Sequence, residues 1–213
     1  MKGVDVREPF AARQGTGIDL RRCRSGTSLC WVSIPGGTCR FGDTARPRPV
    51  GDLLVAVTPL TYGQLGLAGE VSDSDMPVTG IDYAEACRLA ELFGGRLPTS
   101  VEWEWLAAGP EQRLFPWGEQ PWSPYLARLR GPDTVHEGPG RVGGHVEGAT
   151  PQGLLDLAGN VWEWTASSVM GGGYVIRGGS YASKPLYGRS TFLNAVHAER
   201  CSSGIGVRPV RSA

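Results

Sequence analysis

The chain has 213 residues, enough for one compact domain with a full hydrophobic core. Its 21 lysines and arginines balance 21 aspartates and glutamates, so no net field draws it toward nucleic acid, and nucleic acid is not expected as a partner. Apolar runs such as Leu53 to Val57 fall far short of the ~18 residues that cross a bilayer, and Met1-Lys2-Gly3 opens no signal-type apolar core, so no membrane insertion and a cytoplasmic location are expected.

Residues 1–30, including "ARQGTGIDLRRCRSG", read as an N-terminal arm or first strand ahead of one domain over 31–213. "CWVSIPGGTCRFGD" then reads as strand, tight turn at Pro35-Gly36-Gly37, strand. A buried strand follows at Leu53 to Val57, and Thr58 with Pro59 predicts the cap of a short helix. The clearest helix starts at an Asp82 N-cap, carries Ala84, Cys87, Leu89, Ala90 and Phe93 at helical spacing, and ends at Gly94-Gly95. A second helix is capped by Thr99 with Glu102 as its capping-box partner, turns Val101, Trp105 and Leu106 inward, and stops at Gly109-Pro110.

From Gly109 to Gly153 proline, glycine and tryptophan predict long ordered loops with aromatic anchors. "GLLDLAGNVWEWTAS", "GGGYVIRGGSY" and the terminal segment then read as short strands separated by glycine. Five cysteines (Cys23, Cys30, Cys39, Cys87, Cys201) include no C-x-x-C pair and read as small apolar side chains. Lysine occurs only at Lys2 and Lys184 and asparagine only at Asn160 and Asn194, a bias that suits a GC-rich genome or a thermostable protein.

Six motifs occur in order: "IPGGTCRFGD", "GGRLPTSVEWEWLAAG", "LFPWGE", "GLLDLAGNVWEWTAS", "VIRGGSY" and "IGVRPV". Together they resemble the formylglycine-generating-enzyme (sulfatase-modifying-factor) family from Val32 to the C-terminus. The resemblance implies an α+β, C-type-lectin-like fold: two helices, a short twisted antiparallel sheet and long ordered loops. The family's copper oxidases carry two metal-binding cysteines at the second and seventh positions past the aromatic of G-G-S-aromatic. Counted from Tyr181, those positions hold Ser183 and Gly188, and neither offers a soft ligand.

On this ground no catalytic residue is assigned and the chain is expected not to be an enzyme. The alternative is a small metal-dependent oxidoreductase of the formylglycine-generating-enzyme or sulfoxide-synthase kind, with iron or copper, and His136 and His145 of "HEGPGRVGGH" as its first suspects. The family's calcium site carries over to Asp156, Gly159, Val161 and Glu163, whose hard oxygen donors suit a structural calcium ion. No catalytic cofactor is expected.

The segment from Gly178 to Arg211 also resembles the variable region of diversity-generating-retroelement target proteins, which share the fold. It opens on G-G-S-aromatic and closes on I-G-x-R-P-V. The resemblance implies a display or receptor-type protein whose C-terminal face, rewritten codon by codon, binds a macromolecular ligand, protein being the first expectation. Tyr181, Ser183, Lys184, Leu186, Tyr187, Phe192, Asn194, His197, Cys201 and Ser203 are the candidate ligand-binding residues, mixing aromatic anchors with adaptable polar groups. Phe192 and Val196 also have the i,i+4 spacing of a buried helical stripe. A third reading is an interaction module with no diversification.

Overall fold

Two capping boxes set the start of both helices. In the computed structural model, which describes residues 29–67 and 73–213, Asp82 Oδ1 accepts the Glu85 N–H at 2.7 Å and Glu85 Oε2 accepts the Asp82 N–H at 3.1 Å. Helix α1 runs Tyr83–Leu92 from that cap. The same exchange joins Thr99 and Glu102 at 3.1 and 2.7 Å ahead of α2, Ser100–Ala108. Caps of this kind contribute about 1 kcal/mol each. Both starts agree with the sequence reading, but α2 buries more than the expected stripe. Trp103, Glu104, Trp105, Leu106, Ala107 and Ala108 are all buried, as in a helix packed on every side.

Nine strands complete the elements of the described residues: β1 Trp31–Ile34, β2 Gly37–Phe41, β3 Arg46–Val50, β4 Leu53–Ala56, β5 Trp162–Val169, β6 Gly173–Arg177, β7 Leu193–His197, β8 Ile205–Gly206 and β9 Val210–Ser212. They form a β1-β4-β9 sheet, a β2-β3 ribbon and a β7-β6-β5-β8 sheet in which β8 runs parallel to β5. This confirms the α+β inventory of two helices and short, mainly antiparallel strands. The chain from Gly109 to Gly153 is loop with one 3-10 turn at Val146–Gly148. Its tryptophans anchor it, Trp117 donating to the Gln120 carbonyl at 3.0 Å and Trp122 to that of Ala127 at 2.9 Å.

Two local expectations are corrected. β1 and β2 do not pair with each other: β1 joins β4, and β2 turns away to join β3. The intervening Gly36 packs on the β3–β4 turn, where a Cβ would lie 2.5 Å from the Val50 carbonyl oxygen, and its N–H is taken by Asp52 Oδ1 at 2.7 Å. Thr58 and Pro59 start no helix, because Leu60 enters backbone bonds with Val207 and Val78 that hold the chain extended.

The core has two main parts. One packs α1 against the four-stranded sheet through Leu89, Ile81, Trp164, Ile176 and Val207. The other packs α2 against the three-stranded sheet through Trp103, Leu106, Leu53, Val55 and Val210. Cys39 is buried, and burial above all pushes its thiol up to about 11, while Cys30, Cys87 and Cys201 are also free thiols. Cys23 and the N-terminal arm through residue 28 lie outside the described residues. None of the described helices is long and apolar enough to cross a membrane.

Candidate functional site

The C-terminal segment hangs from two arginines that have no exposed side-chain surface. Arg177, at the end of β6, donates from Nη2 to Glu104 Oε2 at 2.5 Å and to the Ser190 carbonyl at 3.1 Å, and from Nη1 to the carbonyls of Thr191 and Phe192 at 3.0 and 2.9 Å. One guanidinium thus ties α2 to the middle of the segment. Burial pulls the Arg177 pKa down and the adjacent Glu104 carboxylate opposes it. Arg208 holds the other end, reaching Glu163 at 2.8 Å from Nη2 and the carbonyls of Ala56, Val57 and Leu155 at 2.8, 2.7 and 2.6 Å. Glu163 also accepts the Trp103 indole N–H at 2.7 Å.

Between these clamps the backbone is pinned at intervals. Gly178 accepts from the Gly159 N–H at 2.8 Å, Tyr181 donates to the Asn160 carbonyl at 2.9 Å, and Ser190 donates to that of Leu114 at 2.8 Å. The segment then forms a 3-10 turn at Pro185–Gly188, runs through edge strand β7, and returns along α1 by bonds from Tyr83 to Ala198 and from Gly80 to Ser202. Asn160 supports this frame from below, its side-chain amide exchanging bonds with both backbone groups of Gly140 at 2.8 and 3.1 Å.

The ten candidate binding residues separate into three groups. Lys184, Leu186, Asn194, His197 and Ser203 are exposed, Leu186 at 49 %. Tyr187, Phe192 and Cys201 are half-buried, and the two rings pack on Trp162 and each other, with centroids 6.1, 6.3 and 4.8 Å apart. Tyr181 and Ser183 are buried, each 4 % exposed, and belong to the frame rather than the surface. Ser183 Oγ accepts the Ser180 N–H at 3.0 Å, and Tyr181 Oη lies 3.3 Å from Ser203 Oγ. Short polar turns bury such hydroxyls because the local backbone satisfies them. Phe192 and Val196 form no helical stripe, since β7 begins at Leu193 and Val196 faces Tyr174 of β6.

The two positions that hold thiolates in copper oxidases are closed here. Ser183 is spent on the turn, and a Cβ on Gly188 would lie 3.0 Å from Leu129 Cδ1 and 3.4 Å from Ala158 Cβ. The residues present do not fit a two-thiolate copper site.

Of the four expected calcium ligands, the two carboxylates each have partners within the protein. The Glu163 carboxylate faces Arg208 and Trp103, whereas Asp156 Oδ2 accepts the Gly143 N–H at 2.6 Å. Among the described residues no three His, Cys, Asp or Glu side chains converge as a metal site. His136 and His145 are both half-buried, and burial, Arg128 and His145 in that order pull the His136 pKa down.

Asp156 gives a pH test. Burial raises its carboxyl pKa against the pull of the Gly143 N–H, Arg208 and His145. A carboxyl whose folded pKa is raised costs stability as pH climbs from the unfolded carboxylate range through the folded value. Asp156→Asn tolerates the left-handed φ of 57° and keeps an acceptor for Gly143. It is expected to raise Tm at pH 7 by about 2–4 °C, the equivalent of ~1 kcal/mol at this chain length, with the gain gone at pH 3. Thermal denaturation at the two pH values measures it, and a fall in Tm at pH 7 would show that the ionised carboxylate is stabilising in place.

Residues 56–213 match the family model of the sulfatase-modifying factor enzyme 1-like domain. The hercynine oxygenase of Mycobacterium tuberculosis is 38% identical over 166 residues, which cover 66% of this chain and 38% of that protein. Among solved structures, PvdO from Pseudomonas aeruginosa superposes with a TM-score of 0.68 at 18% identity over 95% of this chain and all of that one. Treponema denticola variable protein 1 superposes with a TM-score of 0.67 at 17% identity, over 87% and 95%. The fold is therefore the C-type-lectin-like one that the motifs implied. The expectation that the chain is not an enzyme is overturned by the hercynine oxygenase relative. The missing pair of soft ligands at Ser183 and Gly188 is therefore no ground for excluding enzymatic chemistry in this family.

Proposed function

The chain belongs to the sulfatase-modifying factor enzyme 1-like domain family, and on that premise we propose that it is the substrate-recognition domain of an oxygenase-type enzyme. The recognition surface is the exposed face of residues 184–203. One observation carries this reading: Arg177 takes the backbone of Ser190, Thr191 and Phe192 into the core while Lys184, Leu186, Asn194 and His197 stand in solvent. A rigid backbone with free side chains is what low-cost recognition needs, because little conformational entropy remains to be lost on binding. The chain spans 38% of the length of the M. tuberculosis hercynine oxygenase, and hercynine is the first substrate to try.

The test is calorimetry with hercynine on the wild-type chain and on Lys184→Ala/Leu186→Ala/Asn194→Ala/His197→Ala. Saturable binding, weakened at least tenfold in the variant with Tm within about 3 °C of wild type, is the expected result. Absent binding, or equal affinity in the two proteins, would overturn the proposal. Tyr187 stays out of the variant because its ring is packed on Phe192; truncating such an aromatic costs about 3–5 kcal/mol and would confuse binding with folding. The same unchanged Tm is required if this face is diversified in sequence to meet a macromolecular ligand, so a collapse of the variant would remove that reading too.

A further inference from the structure

A cleft of about 820 Å³ opens between the β2–β3 ribbon and the C-terminal end of α2. Its volume lies in the range that accepts small organic ligands. Ile34, Pro35, Pro47, Leu106 and Pro110 give it carbon walls, and Trp105 lies among them. The Trp105 indole N–H is already donated to the Pro35 carbonyl at 3.0 Å, so the ring has no free donor to offer and presents carbon surface. Gly37 makes room for that ring, since a Cβ there would come within 2.7 Å of Trp105 Cη2.

The charge in this cleft is one-sided. Arg40 is its single ionisable lining residue, and no carboxylate lines it. Among the described residues the ion pairs are made by other arginines, and Arg40 has no acidic partner. Thr38 and Gln152 add uncharged polar groups at the same wall. A smaller recess of about 180 Å³ shares Arg40, Ala45 and Gly109 and contains two carboxylates: Glu104, which is held by Arg177, and the exposed Asp43, which accepts the Thr191 hydroxyl at 3.1 Å.

We propose that this cleft binds an aromatic carboxylate, with the ring among Trp105 and the prolines and the carboxylate on Arg40. Apolar contact supplies the bulk of the affinity and the guanidinium selects the anion, because a planar fork suits a carboxylate. A neutral ligand of the same shape keeps the first contribution and lacks the second. None of residues 184–203 lines the cleft.

Calorimetry with 2-naphthoate and with its neutral match 2-naphthamide tests this on the whole chain. Wild type is expected to bind naphthoate at least tenfold more tightly than naphthamide. Arg40→Gln, an exposed position, should weaken naphthoate at least tenfold and change naphthamide less than twofold. Gln152→Trp, which fills the rim from an exposed position, should weaken both, with Tm confirming that each variant is folded. No saturable naphthoate binding, equal losses of both ligands in Arg40→Gln, or undiminished binding in Gln152→Trp would overturn the proposal.

Discussion

Arg177→Met is expected to lower Tm by about 6–20 °C. Breaking a buried ion pair by removing one partner costs about 3–5 kcal/mol, and in a chain of this size each kcal/mol moves Tm by roughly 2–4 °C. The loss arises from what is left behind. Glu104 keeps the Gly42 N–H at 2.6 Å but loses the Arg177 counter-ion, and the carbonyls of Ser190, Thr191 and Phe192 lose their donor. Glu104→Gln added to Arg177→Met removes the stranded charge while retaining an acceptor for Gly42. The double variant is therefore expected to regain about half of the lost stability, the orphaned carbonyls accounting for the remainder. Thermal and urea denaturation of the three proteins measure this, and a single variant within about 2 °C of wild type would show that the pair does not hold the segment.

Gly178→Ala is the second severe change. Its φ of +95° is one that side-chain-bearing residues rarely adopt, and a Cβ would lie 2.7 Å from the Leu157 carbonyl oxygen and 3.2 Å from Trp103 Cζ2. Backbone strain of about 1–2 kcal/mol then adds to an overpacking cost of about 1–3 kcal/mol. Gly153→Ala separates the two, having φ +87° but nothing within 4 Å of the added carbon. A loss of about 2–5 kcal/mol at Gly178 against about 1–2 kcal/mol at Gly153 is expected from urea denaturation. Equal losses would mean that the close approach to Leu157 contributes nothing.

Much of the frame is legible in the sequence because it is written in local chemistry. Asp82 with Glu85, and Thr99 with Glu102, announce helix starts through side chains three residues apart, and no tertiary context is needed to read them. Pairing between strands is less legible. The apolar alternation of β1 and β2 says that both are strands, but Gly36 and Asp52 decide that each goes to a different partner. Phe192 and Val196 show the same weakness, since two residues at i and i+4 suit a helix or a strand edge equally until Arg177 fixes the backbone.

The candidate site is partly visible for the same reason. The G-G-S-aromatic and G-x-R-P-V motifs bracket the segment, and five of its candidate side chains stand on the surface. Tyr181 and Ser183 do not, because a tyrosine and a serine suit a turn interior as well as a binding face, and it is the contacts of Ser183 with Ser180 and of Tyr181 with Asn160 that distinguish the two. Glu104 has no role in the sequence reading. The signal is present in its neighbours: Trp103, Trp105, Leu106 and Ala107 make a helix that is apolar on every side, so a carboxylate within it requires a buried cation, and Arg177 beside Gly178-Gly179 supplies it.

Amide hydrogen exchange with and without saturating hercynine reads the frame and the face in one measurement. Strong protection is expected at Arg177 to Ser180 and Ile205 to Val210 in both states, with hercynine slowing exchange only between residues 184 and 203. Slowed exchange confined to other parts of the chain, or an unchanged pattern at saturation, would contradict the proposal.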